Sequence, residues 1–169
     1  MLILLCMLAC VADDWNGEPY LGPGSTTVVD TGGVPATDGL QGNWISQGAD
    51  IAPLLAGEPF NYVRVEASFR EDGSYTVTSE DSNGDTWPLT GTWSALEGTP
   101  GTVTLSQAEP YEATAEGIWQ VDGATLTYEV VQTSPDYGFL PPTPSSGFGT
   151  TTGPGLEPGI NVQIYQVAP

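Results

Sequence analysis

From residue 40 onward apolar and polar residues alternate with a period of two in one short run after another, and no stretch holds the 3.6-residue period of a long helix. Residues 60–70 show this best. Val63, Val65, Ala67 and Phe69 fall on one face and Arg64, Glu66, Ser68 and Arg70 on the other, the pattern of a strand buried on one side. Further runs lie at residues 42–46, 74–80, 86–94, 102–106, 117–121, 124–133 and 160–167. Tyr75 and Val77, then Trp87, Leu89, Gly91 and Trp93, then Leu126, Tyr128 and Val130, supply their apolar faces. Asp72-Gly73, Asn83-Gly84 and Asp122-Gly123 mark turns, and Asn-Gly readily takes the positive φ angles of a type I′ hairpin. Pro88 marks an edge or a bulge.

Eight short strands joined mostly by tight turns predict an all-β antiparallel meander. Its edges must be hidden, because an open strand edge is a template for unwanted pairing. An eight-stranded up-and-down barrel hides them by closure, around an interior that holds packed side chains or one small ligand. A β-sandwich is the alternative. Two connections are long. Residues 50–56 suit a short helical turn capped by Asp50, with Pro53 in its first turn and Ile51, Leu54 and Leu55 on one face. Residues 134–159, rich in Pro, Gly, Ser and Thr and carrying Tyr137, Phe139 and Phe148, exceed any ordinary hairpin loop and are expected to be a mobile functional loop or a disordered insertion.

The chain before residue 40 has a different character. Residues 1–9 are apolar and uncharged, whereas residues 10–39 are dominated by Gly, Pro, Thr, Ser and Asp, a composition that buries too little apolar surface to fold and is expected to be a flexible tether. Leu8-Ala9-Cys10 resembles the lipobox of bacterial lipoproteins. That resemblance implies a signal peptide at 1–9, a lipid on Cys10, and a domain at 40–169 anchored to a membrane of the cell envelope outside the cytoplasm. Without it the segment would read as a buried strand or short helix. Nine apolar residues cannot span a bilayer, which takes about 20. With Cys6 removed and Cys10 acylated no disulfide can form, so the domain must rest on its core.

Charge excludes several functions. There are 21 acidic residues against Arg64 and Arg70, with no Lys and no His, for a net charge of −19. Nucleic acid is not an expected partner, because binding it requires Lys and Arg to neutralise phosphate. The commonest general bases and activated nucleophiles are missing, which leaves only paired carboxylates for catalysis, and chance proximity accounts for those in so acidic a chain. An enzyme is not expected, and neither is a cofactor. Asp81-Ser82-Asn83-Gly84-Asp85 superficially resembles a calcium loop, yet Thr86 and Thr92 stand where an EF-hand needs Gly and Glu. A solvated hairpin turn is expected there, and no metal site. Arg64 and Arg70 pair with carboxylates if their face is the outer one and bind anions if it is the inner one. Trp44, Trp87, Trp93 and Trp119 either pack a core or line a pocket.

Gly42-Asn43-Trp44 on the first strand, Asp72-Gly73-Ser74-Tyr75, Gly91-Thr92-Trp93 and Asp122-Gly123 followed by Leu126 together resemble the lipocalin-like (calycin) families, which include small envelope lipoproteins. The resemblance implies a barrel plugged at one end by Trp44, with Trp93 in its core and the loop after the first strand at an open mouth. The chain departs from the pattern in lacking an Arg on the last strand and in placing Asp136-Tyr137 after the seventh strand, so no ligand is carried over. The expected role is binding of a small apolar ligand or an envelope component between Ile51, Leu54 and Leu55 on one side and Tyr137, Phe139 and Phe148 on the other. The alternative is a filled barrel acting as a structural or protein-interaction module, with an envelope protein as partner.

Sixteen of the carboxylates face only two guanidiniums within residues 40–169, and self-repulsion on this scale opposes compactness. The melting temperature is therefore expected to climb as sodium chloride rises from about 0.01 M to about 0.15 M, over which the Debye length falls from about 30 Å to about 8 Å. A melting temperature indifferent to salt over that range would show the charges to be already compensated.

Overall fold

A computed structural model of the chain describes residues 39–169; Cys10 and nearly all of the segment expected as signal and tether lie outside the described residues. Eight strands follow one another: β1 (Gly42–Gln47), β2 (Tyr62–Phe69), β3 (Ser74–Asp81), β4 (Thr86–Leu96), β5 (Gly101–Glu109), β6 (Ala113–Asp122), β7 (Thr125–Ser134) and β8 (Gln163–Val167). Each pairs antiparallel with its predecessor and β8 returns to β1, closing an up-and-down barrel. The sandwich is not adopted. The α-helix among the described residues is α1 (Pro53–Ala56), preceded by a 3-10 turn at Gly48–Asp50. This closed antiparallel barrel is compatible with a lipocalin-like fold.

Alternation converts directly into an inner face. Leu40, Trp44, Val65, Ala67, Phe69, Tyr75, Val103, Leu105, Trp119, Leu126, Tyr128 and Tyr165 form one contiguous buried core, with Val77, Trp93 and Val130 packed against it. Aromatic rings fill its middle. Phe69 lies 5.5 Å from Trp93, 6.3 Å from Tyr75 and 6.2 Å from Tyr128, and Tyr128 lies 6.1 Å from Tyr165. Because β2 and β7 are not neighbours, the Phe69–Tyr128 contact crosses the interior, which is therefore filled at that level.

One end of the barrel is plugged by tryptophans whose polar atoms are satisfied. Trp44, 1 % exposed, donates its indole N–H to the Leu40 carbonyl at 2.9 Å. Trp93 donates to the Arg70 carbonyl and Trp119 to the Thr102 carbonyl, both at 3.1 Å. Satisfying the indole N–H is what allows so large a side chain to be buried. Gly101 makes room for this arrangement, since a Cβ there would come within 2.9 Å of the Trp119 ring.

Local departures from simple alternation have identifiable causes. Val63, expected inside, is 45 % exposed, because the β2–β3 register slips between Tyr62 and Arg64 and Tyr62 turns toward the core instead. Pro88 lies opposite Thr78, in the part of β4 before its pairing with β5 begins at Thr90, so it sits at a local edge. The Asn83-Gly84 turn is not type I′: Gly84 has φ +88°, Asn83 is not in the positive region, and the Gly84 N–H bonds the Asp81 carbonyl at 3.0 Å. It is the three-residue alternative, closed by a left-handed Gly. Asp50 does not cap α1, whose N-cap is Ala52; the Asp50 carboxylate instead accepts a 3.4 Å bond from Gln166.

Replacing Trp44 by Ala is expected to cost about 3–5 kcal/mol, the usual range for a buried large aromatic. Leu96→Ala, at a position 72 % exposed, is expected to leave stability unchanged within error. Chemical denaturation of the two variants checks this, and similar small losses in both would remove Trp44 from the core.

Candidate functional site

Both long connections spring from the end of the barrel opposite the tryptophan plug, and they do different things. The β1–β2 connection, residues 48–61, packs at this end against the start of β8 and against β2, and is here termed the lid. Its Ala52 N–H donates to the Gln163 side-chain oxygen at 2.7 Å, and its Leu54 N–H to the Ile160 carbonyl at 2.9 Å. At its other end the Ser82 N–H donates to the Asn61 carbonyl at 3.1 Å, continuing the β2–β3 ladder. Ile51, Ala52 and Phe60 are buried, at 4, 0 and 8 % exposure, yet none belongs to the contiguous barrel core. Phe60 stacks obliquely on Tyr62 at 5.5 Å.

The β7–β8 connection lies instead against the outer wall. Glu129 points outward on β7, level with the outward Ile118 of β6, and both are buried, at 1 and 0 % exposure. The Glu129 carboxylate accepts the Gly149 N–H at 2.5 Å, the Thr151 N–H at 3.0 Å and the Thr151 hydroxyl at 2.5 Å. Asn161 adds a bond to the Val130 carbonyl at 2.6 Å, and Leu140 bridges Thr152. Residues 135–162 thus form an ordered strap, neither a loose insertion nor a cover for the mouth. The expected mouth set is accordingly divided. Ile51, with the half-buried Leu54 and Leu55, belongs to the lid, whereas Tyr137, Phe139 and Phe148, all half-buried, belong to the strap, where Phe139 packs against Gly153 and Phe148 precedes the Gly149 that bonds Glu129.

At this end small and polar inward side chains, Ser46 on β1, Ser79 on β3, Ala115 on β6 and Gln163 on β8, are mixed with larger apolar ones such as Tyr62, Trp87 and Val130. Ser46 and Gln163 are 0 and 3 % exposed, and the Ser46 hydroxyl oxygen and the Gln163 amide nitrogen have no hydrogen-bond partner. Strand registers place them close together. Trp44 faces Val167 and Ile45 faces Gln166, so the ladder extended brings Ser46 level with Tyr165, one inward position from Gln163. Gln163 in turn faces Tyr128. Sequence reasoning missed Ser46, Phe60 and Gln163; a polar residue at an inward step of a strand, in register with Tyr165 or Trp44, was the available signal.

Elsewhere the surface offers a shallow groove of about 510 Å³ on the outer face of β1–β3, lined by Asn43, Arg64, Arg70, Thr76 and Thr78 among others. Both arginines point outward. Arg64 pairs with Glu66 at 2.6 Å, with the two side chains 39 and 55 % exposed, a pair worth under about 1 kcal/mol. Arg70 donates to the Thr76 hydroxyl at 3.1 Å. Among the described residues no group of three His, Cys, Asp or Glu could hold a metal ion. Asp81, in the loop with calcium-like spacing, spends its carboxylate on the N–H groups of Asn83 and Asp85 at 2.8 and 3.0 Å.

No family model, curated protein or solved structure matches the chain.

The interior tyrosines give the barrel a limit in alkali. Desolvation pushes the Tyr75 phenol up to about 12; Tyr128 rises well above the ordinary 10 through desolvation and then the neighbouring Tyr165 and Tyr75, and desolvation also raises Tyr165. A folded-state pKa above the unfolded value means stability that is complete below pH 10 and lost as pH climbs from 10 through 12. Tyrosinate absorbance followed together with circular dichroism is expected to show these phenols ionising only as the barrel unfolds. Titration of all seven tyrosines near pH 10 without loss of structure would contradict their burial.

Proposed function

We propose that this protein is a lipid-anchored lipoprotein of the bacterial cell envelope whose lipocalin-like barrel binds a small apolar ligand beneath the lid formed by residues 48–61. The supporting observation is the asymmetry of the interior. The plugged half is filled by rings in contact, whereas the other half mixes apolar side chains such as Tyr62 and Val130 with the buried polar Ser46, Ser79 and Gln163, next to the apolar Ile51, Ala52 and Phe60, which are not part of the barrel core. Ligand sites combine apolar walls with a few polar groups in just this way. Anchoring rests on the Leu8-Ala9-Cys10 resemblance, and the role assigned is binding rather than catalysis.

A second reading, a filled barrel serving as a structural or protein-interaction module in the envelope, draws on the cross-barrel Phe69–Tyr128 contact. Fluorescence of N-phenyl-1-naphthylamine, a neutral apolar dye, separates the two. Saturable enhancement by the purified protein, lost when Ala52→Trp fills the space under the lid, supports the binding reading, and absence of enhancement supports the filled module. Metabolic palmitate labelling tests the anchor: label is expected on the parent chain and not on Cys10→Ala, and an unlabelled parent would end the lipoprotein assignment.

A further inference from the structure

We infer that the space beneath the lid is built to take a neutral carbonyl group, the ketone, ester or amide end of an otherwise apolar molecule, on the Ser46 hydroxyl and the Gln163 amide. The inference rests on the ligand-binding reading above and adds the chemistry of the ligand's polar end. Buried polar side-chain atoms are normally paired, and leaving one unpaired costs free energy. Two unpaired atoms on adjacent strands, each on a residue more than nine-tenths buried and facing the interior, are therefore a feature with a purpose.

Their chemistry specifies an acceptor. The Gln163 side-chain oxygen is engaged by the Ala52 N–H, which fixes the amide so that its nitrogen, a donor only, faces the unfilled valence. The Ser46 hydroxyl can turn to donate as well. A carbonyl oxygen has two lone pairs and satisfies both donors at once. Charge then narrows the choice. Arg64 and Arg70, the only basic side chains of the protein, both lie on the outer wall, so a carboxylate under the lid would be a buried anion with no counter-ion. Such burial is prohibitive unless the charge is paired. A cationic amine would find one acceptor, the Ser46 oxygen, and the Gln163 N–H donor set against it. A neutral carbonyl is what remains.

The experiment uses the intact protein loaded with N-phenyl-1-naphthylamine and displaces the dye with three molecules of equal chain length: 2-nonanone, nonanoate and nonylammonium. The ketone is expected to displace it at a concentration at least about tenfold lower than either ion, as two neutral hydrogen bonds allow. Gln163→Glu keeps the oxygen that holds Ala52 while replacing the donor by an acceptor, and it is expected to abolish the ketone's advantage and improve nonylammonium. Ser46→Ala removes only the hydroxyl and is expected to weaken the ketone about threefold, which decides the matter should Gln163→Glu fail to fold. Equal displacement by all three, or an order unchanged in both variants, overturns the carbonyl site and leaves the apolar-binding reading standing. A change in melting temperature without any change in displacement assigns the two atoms to a buried water and also overturns it. No dye binding by the parent protein removes both readings.

Discussion

Closure of the sheet between β1 and β8 is the constraint on which the rest depends. Seven of the eight strand pairings join strands adjacent in sequence, but the eighth joins the two ends of the domain, and its ladder shows only two registered pairs, Trp44 with Val167 and Ile45 with Gln166. With both cysteines of the sequence at positions 6 and 10, no cross-link within residues 39–169 can assist. The short seam is extended at both ends by other groups. At the plugged end, the Ala168 N–H bonds the Asn43 carbonyl. At the other end the Ala52 N–H reaches Gln163 and the Leu54 N–H reaches Ile160. Trp44 sits on the seam itself, so the residue that plugs the barrel also packs its weakest joint.

The strap answers a different problem. An outward Glu and an outward Ile side by side on a two-strand wall would be unremarkable in water, but here both are buried, and the carboxylate has no guanidinium near it. Three donors from residues 149–151 replace the lost hydration, and donors to an ionised acceptor make the stronger class of hydrogen bond. Taking away one partner would strand a buried charge or two buried N–H groups. In a chain with net charge −19, one carboxylate is thereby used as an organising centre rather than as a repelling surface group. At Ile118 and Glu129 the wall formed by β6 and β7 is buried on both faces, whereas the outer face of β1–β3 stays open and carries both arginines.

This contrast explains how much could be read from the chain. Alternation and Asp-Gly or Asn-Gly turns report one-sided strands, and they placed all eight, along with the inward Trp44, Phe69, Tyr75 and Tyr128. They cannot report a second layer outside the barrel. Glu129 sits at a position where alternation calls for a polar residue, so nothing in its local pattern reveals that residues 149–151 will cover it. Adjacent Ile118 and Trp119, apolar on consecutive and therefore opposite faces, were the one hint of two-sided burial on β6. Val63 misled because a one-residue slip reverses the face of everything beyond it. Ser46 and Gln163 carry only a weak local signal, a polar residue at an inward step, since their nearness across the seam, one inward position apart, exists only once the barrel has closed.

Gln163 links this geometry to whatever the barrel does. Its oxygen accepts the Ala52 N–H of the lid and its nitrogen is buried without a partner, so one side chain belongs to both the closure and the interior. Two backbone N–H donors, of Ala52 and Leu54, fasten the lid, at about 1 kcal/mol net each. Burying Ile51 and Phe60 contributes more, about 1.5–3 kcal/mol per side chain. The lid is therefore held mainly by apolar contact, and a guest with an apolar body can replace in part the contacts it displaces. A polar guest cannot, and it would meet an energy cost that two donors alone do not offset. In the binding reading proposed above, the same balance would favour molecules that are greasy along most of their length and polar at one end.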